Sequence, residues 1–182
     1  VIGTGSTAFI DAPANSWSTG TSTTVNSLYS RILAVNSTMS GKNYNNAVTG
    51  AKITDLVGQV TRTNSQNVEY VTILLGANDA CTSSESTMTS VANYRSQFET
   101  AMKNLTTGSP NAKIYVMSVP NVYNLWSVLK GNASARATWS LLGICQSMLA
   151  NPTSTKQTDA NRRERVLQRV KDYNTQLAEV CA

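Results

Sequence analysis

Histidine is absent from the sequence. The side chain that most often serves as general base at neutral pH, and the commonest nitrogen ligand for zinc, therefore cannot come from this chain. Charge is also scarce: Asp, Glu, Lys and Arg make up 14%, where about a quarter is usual, and Ser, Thr and Asn take their place. No apolar run approaches the roughly 18 residues that a helix needs to cross a bilayer, so the composition reads as that of a soluble protein with no transmembrane segment. There is no Cys-x-x-Cys, which leaves a zinc site or a dithiol redox motif without support. No metal and no cofactor are expected.

The 182 residues fit a single domain, 1–182, with one core. The net charge of +5 has one local source, Arg162, Arg163, Arg165, Arg169 and Lys171. Such a cluster attracts phosphate if it shares a face, but Val166, Val170, Tyr173, Leu177 and Val180 run through it at spacings of three and four. A core-docked helix with a basic solvent side accounts for both, so nucleic acid is not an expected partner. The three cysteines are Cys81, Cys145 and Cys181. With the weakly charged surface they suggest a secreted protein with one disulfide, Cys81 to Cys145 being one pairing, and Cys181 left over. Three buried free thiols are the alternative.

Strands and helices alternate from about residue 43. Residues 43–48, NYNNAV, suit entry into a short strand, and Gly50 opens a helix in which Ile53, Leu56, Val57 and Val60 share a face. Residues 68–75, VEYVTILL, form a near-continuous apolar strand of the kind buried on both faces of a parallel sheet. Val91, Tyr94, Phe98, Met102 and Leu105 mark an amphipathic helix, and 112–120, AKIYVMSVP, a second buried strand. Helical patterns follow in 121–130, in 135–149 and in the basic C-terminal segment. This rhythm implies an α/β fold, a three-layer α/β/α sandwich with a parallel sheet, in which ligands sit beyond the carboxyl ends of the strands.

That is where Gly50 and Asn78 fall. After the strand ending in Leu75, Gly76 lets the chain turn, and Asn78 emerges with an amide NH2 that can donate. Backbone N–H groups at a helix start near Gly50 are also unpaired donors. Two donors aimed at one point can hold a developing oxyanion. Asn78 and Asp79 can equally be capping residues of an ordinary turn. Asp55 suits support of the helix start and Asp79 bracing of the Asn78 turn. Trp17, Trp126 and Trp139 fit either an acyl pocket or the core.

The motifs come in order. NYNNAVTGAKITDL (43–56), YVTILLGANDAC (70–81) and AKIYVMSVPNVYNLW (112–126) resemble the second block, the third block and the following strand of the SGNH (GDSL) hydrolases. The likeness is to secreted actinobacterial lipase- and esterase-like members, which DAPANSWSTG (11–20) and WSLLGICQSMLANPTSTKQ (139–157) also resemble. It runs over nearly the whole chain. The resemblance implies a serine carboxylic ester hydrolase, monomeric and secreted, acting through an acyl-enzyme on a small-molecule or lipid ester. Its oxyanion hole would combine the nucleophile's own N–H with Gly50 and Asn78.

Two blocks of that family are not intact. The Gly-Asp-Ser with the nucleophile has two possible placements: Gly5-Ser6 stands for it, making Ser6 the nucleophile, or VIGTGS is the loop that follows a serine lying before Val1. The second is preferred, because VIGTG is too short and glycine-rich for a central strand. The Asp-x-x-His has no counterpart, and the chain ends after a long helix. The expectation is a partial domain, incomplete at both ends and inactive by itself. The rivals are a non-catalytic binding domain that kept the fold, and a split enzyme completed by another chain.

Overall fold

A computed structural model describes residues 2–3 and 10–182. It has an α/β architecture in which helices dominate. A short antiparallel pair joins β1 (Ile2–Gly3) to β2 (Ile10–Asp11). Helices α1 (Leu28–Val35) and α2 (Leu56–Asn64) lead to β3 (Tyr70–Ile73), followed by the one-turn α3 (Ala77–Ala80) and the long α4 (Val91–Gly108). Strand β4 (Lys113–Val116), α5 (Val122–Leu129), α6 (Ala133–Leu141), α7 (Gln146–Leu149) and α8 (Gln157–Cys181) complete the order.

Strands β3 and β4 pair in parallel, with Tyr70 opposite Lys113 and Ile73 opposite Val116. A crossover through a helix is the usual way to join two such strands, and α4 lies in that connection. Its Ser90 cap accepts a hydrogen bond from the Asn93 N–H. The predicted stripe of α4 is buried at Tyr94, Phe98 and Leu105, against Val166, Val170, Tyr173 and Leu177 of α8. The Tyr94 and Tyr173 rings stack with centroids 4.1 Å apart. Ile53, Leu56 and Val60 close the core on the α2 side.

Three expectations need correction. Residues 43–48 form no strand: they have no regular secondary structure, and the side chain of Asn46 bonds to Thr63 and Gln66. Strand β3 is not buried on both faces. Tyr70 is 43% exposed and Leu74, just past the strand, 38%, and β4 likewise exposes Tyr115 by 47%, so neither of these paired strands is covered on both faces. The expected helix over 135–149 is two helices, broken at Gly143 and at Cys145, both with positive φ.

The basic cluster of α8 is turned inward more than its pattern suggests. The Arg162 guanidinium donates to the carbonyls of Gln146, Ser147 and Ala150, closing the end of α7. Arg163 is buried, 4.3 Å from the ring centre of Trp126, and bonds to the Ser154 carbonyl. Arg165 pairs with Glu85, and Arg169 donates to the Thr89 carbonyl.

Candidate active site

Gly76 sets the geometry at the end of β3. Its φ is +126°, and a Cβ there would lie 2.5 Å from Cγ2 of Val119 and 2.7 Å from the Tyr94 hydroxyl. Only glycine combines that backbone conformation with so close an approach. The Gly76 carbonyl accepts from the N–H groups of Asp79 and Ala80, which closes α3 and places Asn78 on its outer side, half-buried.

The Asn78 amide nitrogen donates to the carbonyl of Ala51 at 3.0 Å. One of its two hydrogens is thereby used, and the amide makes no other hydrogen bond among the described residues. The contact joins positions 27 apart in sequence. Asn78 is thus in contact with the residue that follows Gly50.

Gly50 itself differs from expectation. The helix does not start there: residues 49–50 form a turn closed by the Ala51 N–H on the Val48 carbonyl, and the first helical turn is Ile53–Asp55. The helix start is fixed by Asp55, whose carboxylate accepts from the Lys52 N–H at 2.7 Å, the supporting role read for it in the sequence. Gly50 is exposed, has φ +80°, and has no atom within 4 Å of where a Cβ would stand. Its N–H donates to no partner among the described residues, so the free donor belongs to a turn and not to a helix end. Thr49 bonds through its hydroxyl to the Asp11 carboxylate, a contact for which nothing in the sequence gave a signal.

Ser6 lies outside the described residues. Trp126 and Trp139 belong to the core, whereas Trp17 lines a cavity of about 510 Å³. That cavity is lined by residues 42–47 and 66–75, with Tyr29, Ile32, Leu56 and Val60 in its walls. Cys81, immediately after α3, is disulfide-bonded to Cys145, and Cys181 is a free, exposed thiol. Among the described residues no cluster of Cys, Asp and Glu could hold a metal ion, and no helix is long and apolar enough to cross a membrane.

Chemically, the arrangement offers hydrogen-bond donors beyond the carboxyl end of a parallel strand and no imidazole beside them, since the chain contains no histidine. Burial raises the pKa of Asp79, which follows Asn78 in the chain, although hydrogen bonds from Thr89 and Ile53 work against the rise. No curated protein and no solved structure matches the sequence. The family model for GDSL-like lipase/acylhydrolase matches residues 2–182. Because that match spans almost the whole chain, this protein belongs to the GDSL-like lipase/acylhydrolase family.

Proposed function

We propose that the domain serves carboxylic ester hydrolysis through a serine acyl-enzyme, with the Gly50 N–H and the Asn78 amide as donors to the tetrahedral oxyanion. The observation that supports this reading is the bond, at 3.0 Å, from Asn78 to the carbonyl of Ala51, the residue after Gly50. Such donors are effective because they are oriented before charge develops. The histidine base of such a mechanism is assigned outside these 182 residues, since they contain no histidine. The nucleophile is also assigned outside them, and the 182-residue chain alone has no substantial turnover. Among the described residues no strand pairs with 42–47 and only β4 pairs with β3, and both segments line the cavity, which is consistent with a further strand there. The disulfide and the weakly charged surface support secretion.

The test is hydrolysis of a short-chain aryl ester by the domain expressed with whatever coding sequence flanks it, beside its Asn78→Ala variant. Loss of one oxyanion donor lowers kcat by about 100- to 1,000-fold, with KM little changed. Turnover that is indifferent to Asn78 would remove it from the mechanism. Turnover by the 182-residue chain well above its Asn78→Ala variant would overturn the assignment of nucleophile and base to residues outside it.

A further inference from the structure

Asp79 is fully buried. A carboxylate in that position is costly unless its oxygens are hydrogen-bonded, and here both are. One accepts from the backbone N–H of Ile53 at 3.0 Å, the other from the Thr89 hydroxyl at 2.7 Å. The Asp79 carbonyl also accepts from the Thr89 N–H at 3.1 Å. The Thr89 carbonyl in turn takes the Arg169 guanidinium at 2.6 Å and the Tyr173 hydroxyl. Helix α8 therefore holds Thr89, Thr89 holds Asp79, and Asp79 holds Ile53.

Ile53 lies two residues beyond Ala51, the acceptor of the Asn78 amide. Two ties thus cross between the same pair of segments, Asn78 to Ala51 and Asp79 to Ile53. A single tie leaves the segments free to pivot about it; the second removes that freedom. Simple packing does not account for Asp79, because an apolar side chain would fill the space at lower desolvation cost, whereas only an acceptor satisfies the Ile53 N–H at the head of its turn.

We propose that Asp79 is a positioning residue of the candidate site: its carboxylate locks the turn carrying Asn78 against the segment that follows Gly50, so that the two donors keep one mutual orientation. This rests on the oxyanion reading of Gly50 and Asn78. The test is amide hydrogen exchange and amide NMR on the 182-residue chain. Asp79→Ala raises exchange at the Ile53 N–H by about tenfold or more and shifts both the Gly50 N–H and the Asn78 side-chain signals. Asp79→Asn restores all three, since it can turn its oxygen to Ile53 and its NH2 to the Thr89 hydroxyl. If Asp79→Ala does not fold, Thr89→Val, which removes one anchor of the carboxylate, shifts the same signals by less. Unchanged signals with only a lower Tm would overturn the proposal, as would failure of Asp79→Asn to restore them. None of these signals depends on catalysis, so the oxyanion reading stands or falls separately, on the Asn78→Ala rate.

Discussion

The Tyr94 hydroxyl stands where a Gly76 side chain would begin: an added Cβ would lie 2.7 Å from it, while the hydroxyl donates to the neighbouring Leu75 carbonyl at 2.9 Å. The end of β3 is therefore pinned from above by α4, and the pin requires glycine. Gly76→Ala combines that overlap with a backbone conformation that L residues avoid, and we expect a loss of about 2–4 kcal/mol. In a chain of this size that lowers Tm by roughly 4–16 °C, read by circular dichroism. A change within about 0.5 kcal/mol, the range of ordinary surface substitutions, would mean that the turn relaxes and is not a rigid mount for Asn78.

The other side of the same turn is held covalently. Cys81 follows Ala80 directly and is bonded to Cys145, 64 residues away in sequence. Closing a loop of that length restricts the unfolded chain, and such bonds contribute about 2–4 kcal/mol. The double variant Cys81→Ser/Cys145→Ser should lose stability in that range, measured as the denaturant midpoint times its slope. Reduction of the native chain should reproduce the loss, while Cys181→Ser, at the free and exposed thiol, should not.

These two positions show what the sequence could and could not reveal. Helix α4 and the body of α8 were legible because an amphipathic helix encodes its buried face locally, and Tyr94, Phe98, Val166, Val170 and Tyr173 are all buried. Asn78 was legible because an apolar strand, a glycine and an Asx residue in succession specify a presenting turn. Residues 43–48 were misread, because a strand exists only through its neighbours, and none of the described strands pairs with them. Gly50 was placed at a helix start because the capping bond from Lys52 to Asp55, which delays the helix, has no periodic signature. The bonds from the Ile53 N–H to Asp79 and from the Thr49 hydroxyl to Asp11 join residues far apart in sequence, and pattern alone gives no access to such pairs.

Acid should weaken the fold through Asp159. Hydrogen bonds from Ser154 and Asn151, with the Arg162 guanidinium beside it, hold its pKa at about 2, below its ordinary 3.8. A pKa lowered by folding gives stability that is complete above the unfolded value, so this contribution is present above 3.8 and is lost as the pH falls through about 2. Asp159→Asn lacks it. The difference in urea midpoint between parent and variant should therefore shrink steadily on acidification across that window. Asp79 acts with the opposite sign: burial raises its pKa, so its contribution is present below 3.8 and lost as the pH rises through its folded value. A parent-to-variant difference that grew on acidification would remove Asp159 as a source of acid sensitivity.

The absent histidine gives a direct way to decide the role of Ser6. If Ser6 were the nucleophile, the 182-residue chain would lack only a base, and imidazole in solution could partly replace it by taking the serine proton. Imidazole also hydrolyses aryl esters without protein, so the informative quantity is the rate added by the chain above that background. We expect no added rate at any imidazole concentration, because the nucleophile is assigned outside the sequence. A saturable increment that Ser6→Ala abolishes would instead make Ser6 the nucleophile. Asn78→Ala should then diminish that increment too, because the amide would face a tetrahedral intermediate formed on Ser6. An increment indifferent to both substitutions would come from a different group, and neither residue would belong to the chemistry that produced it.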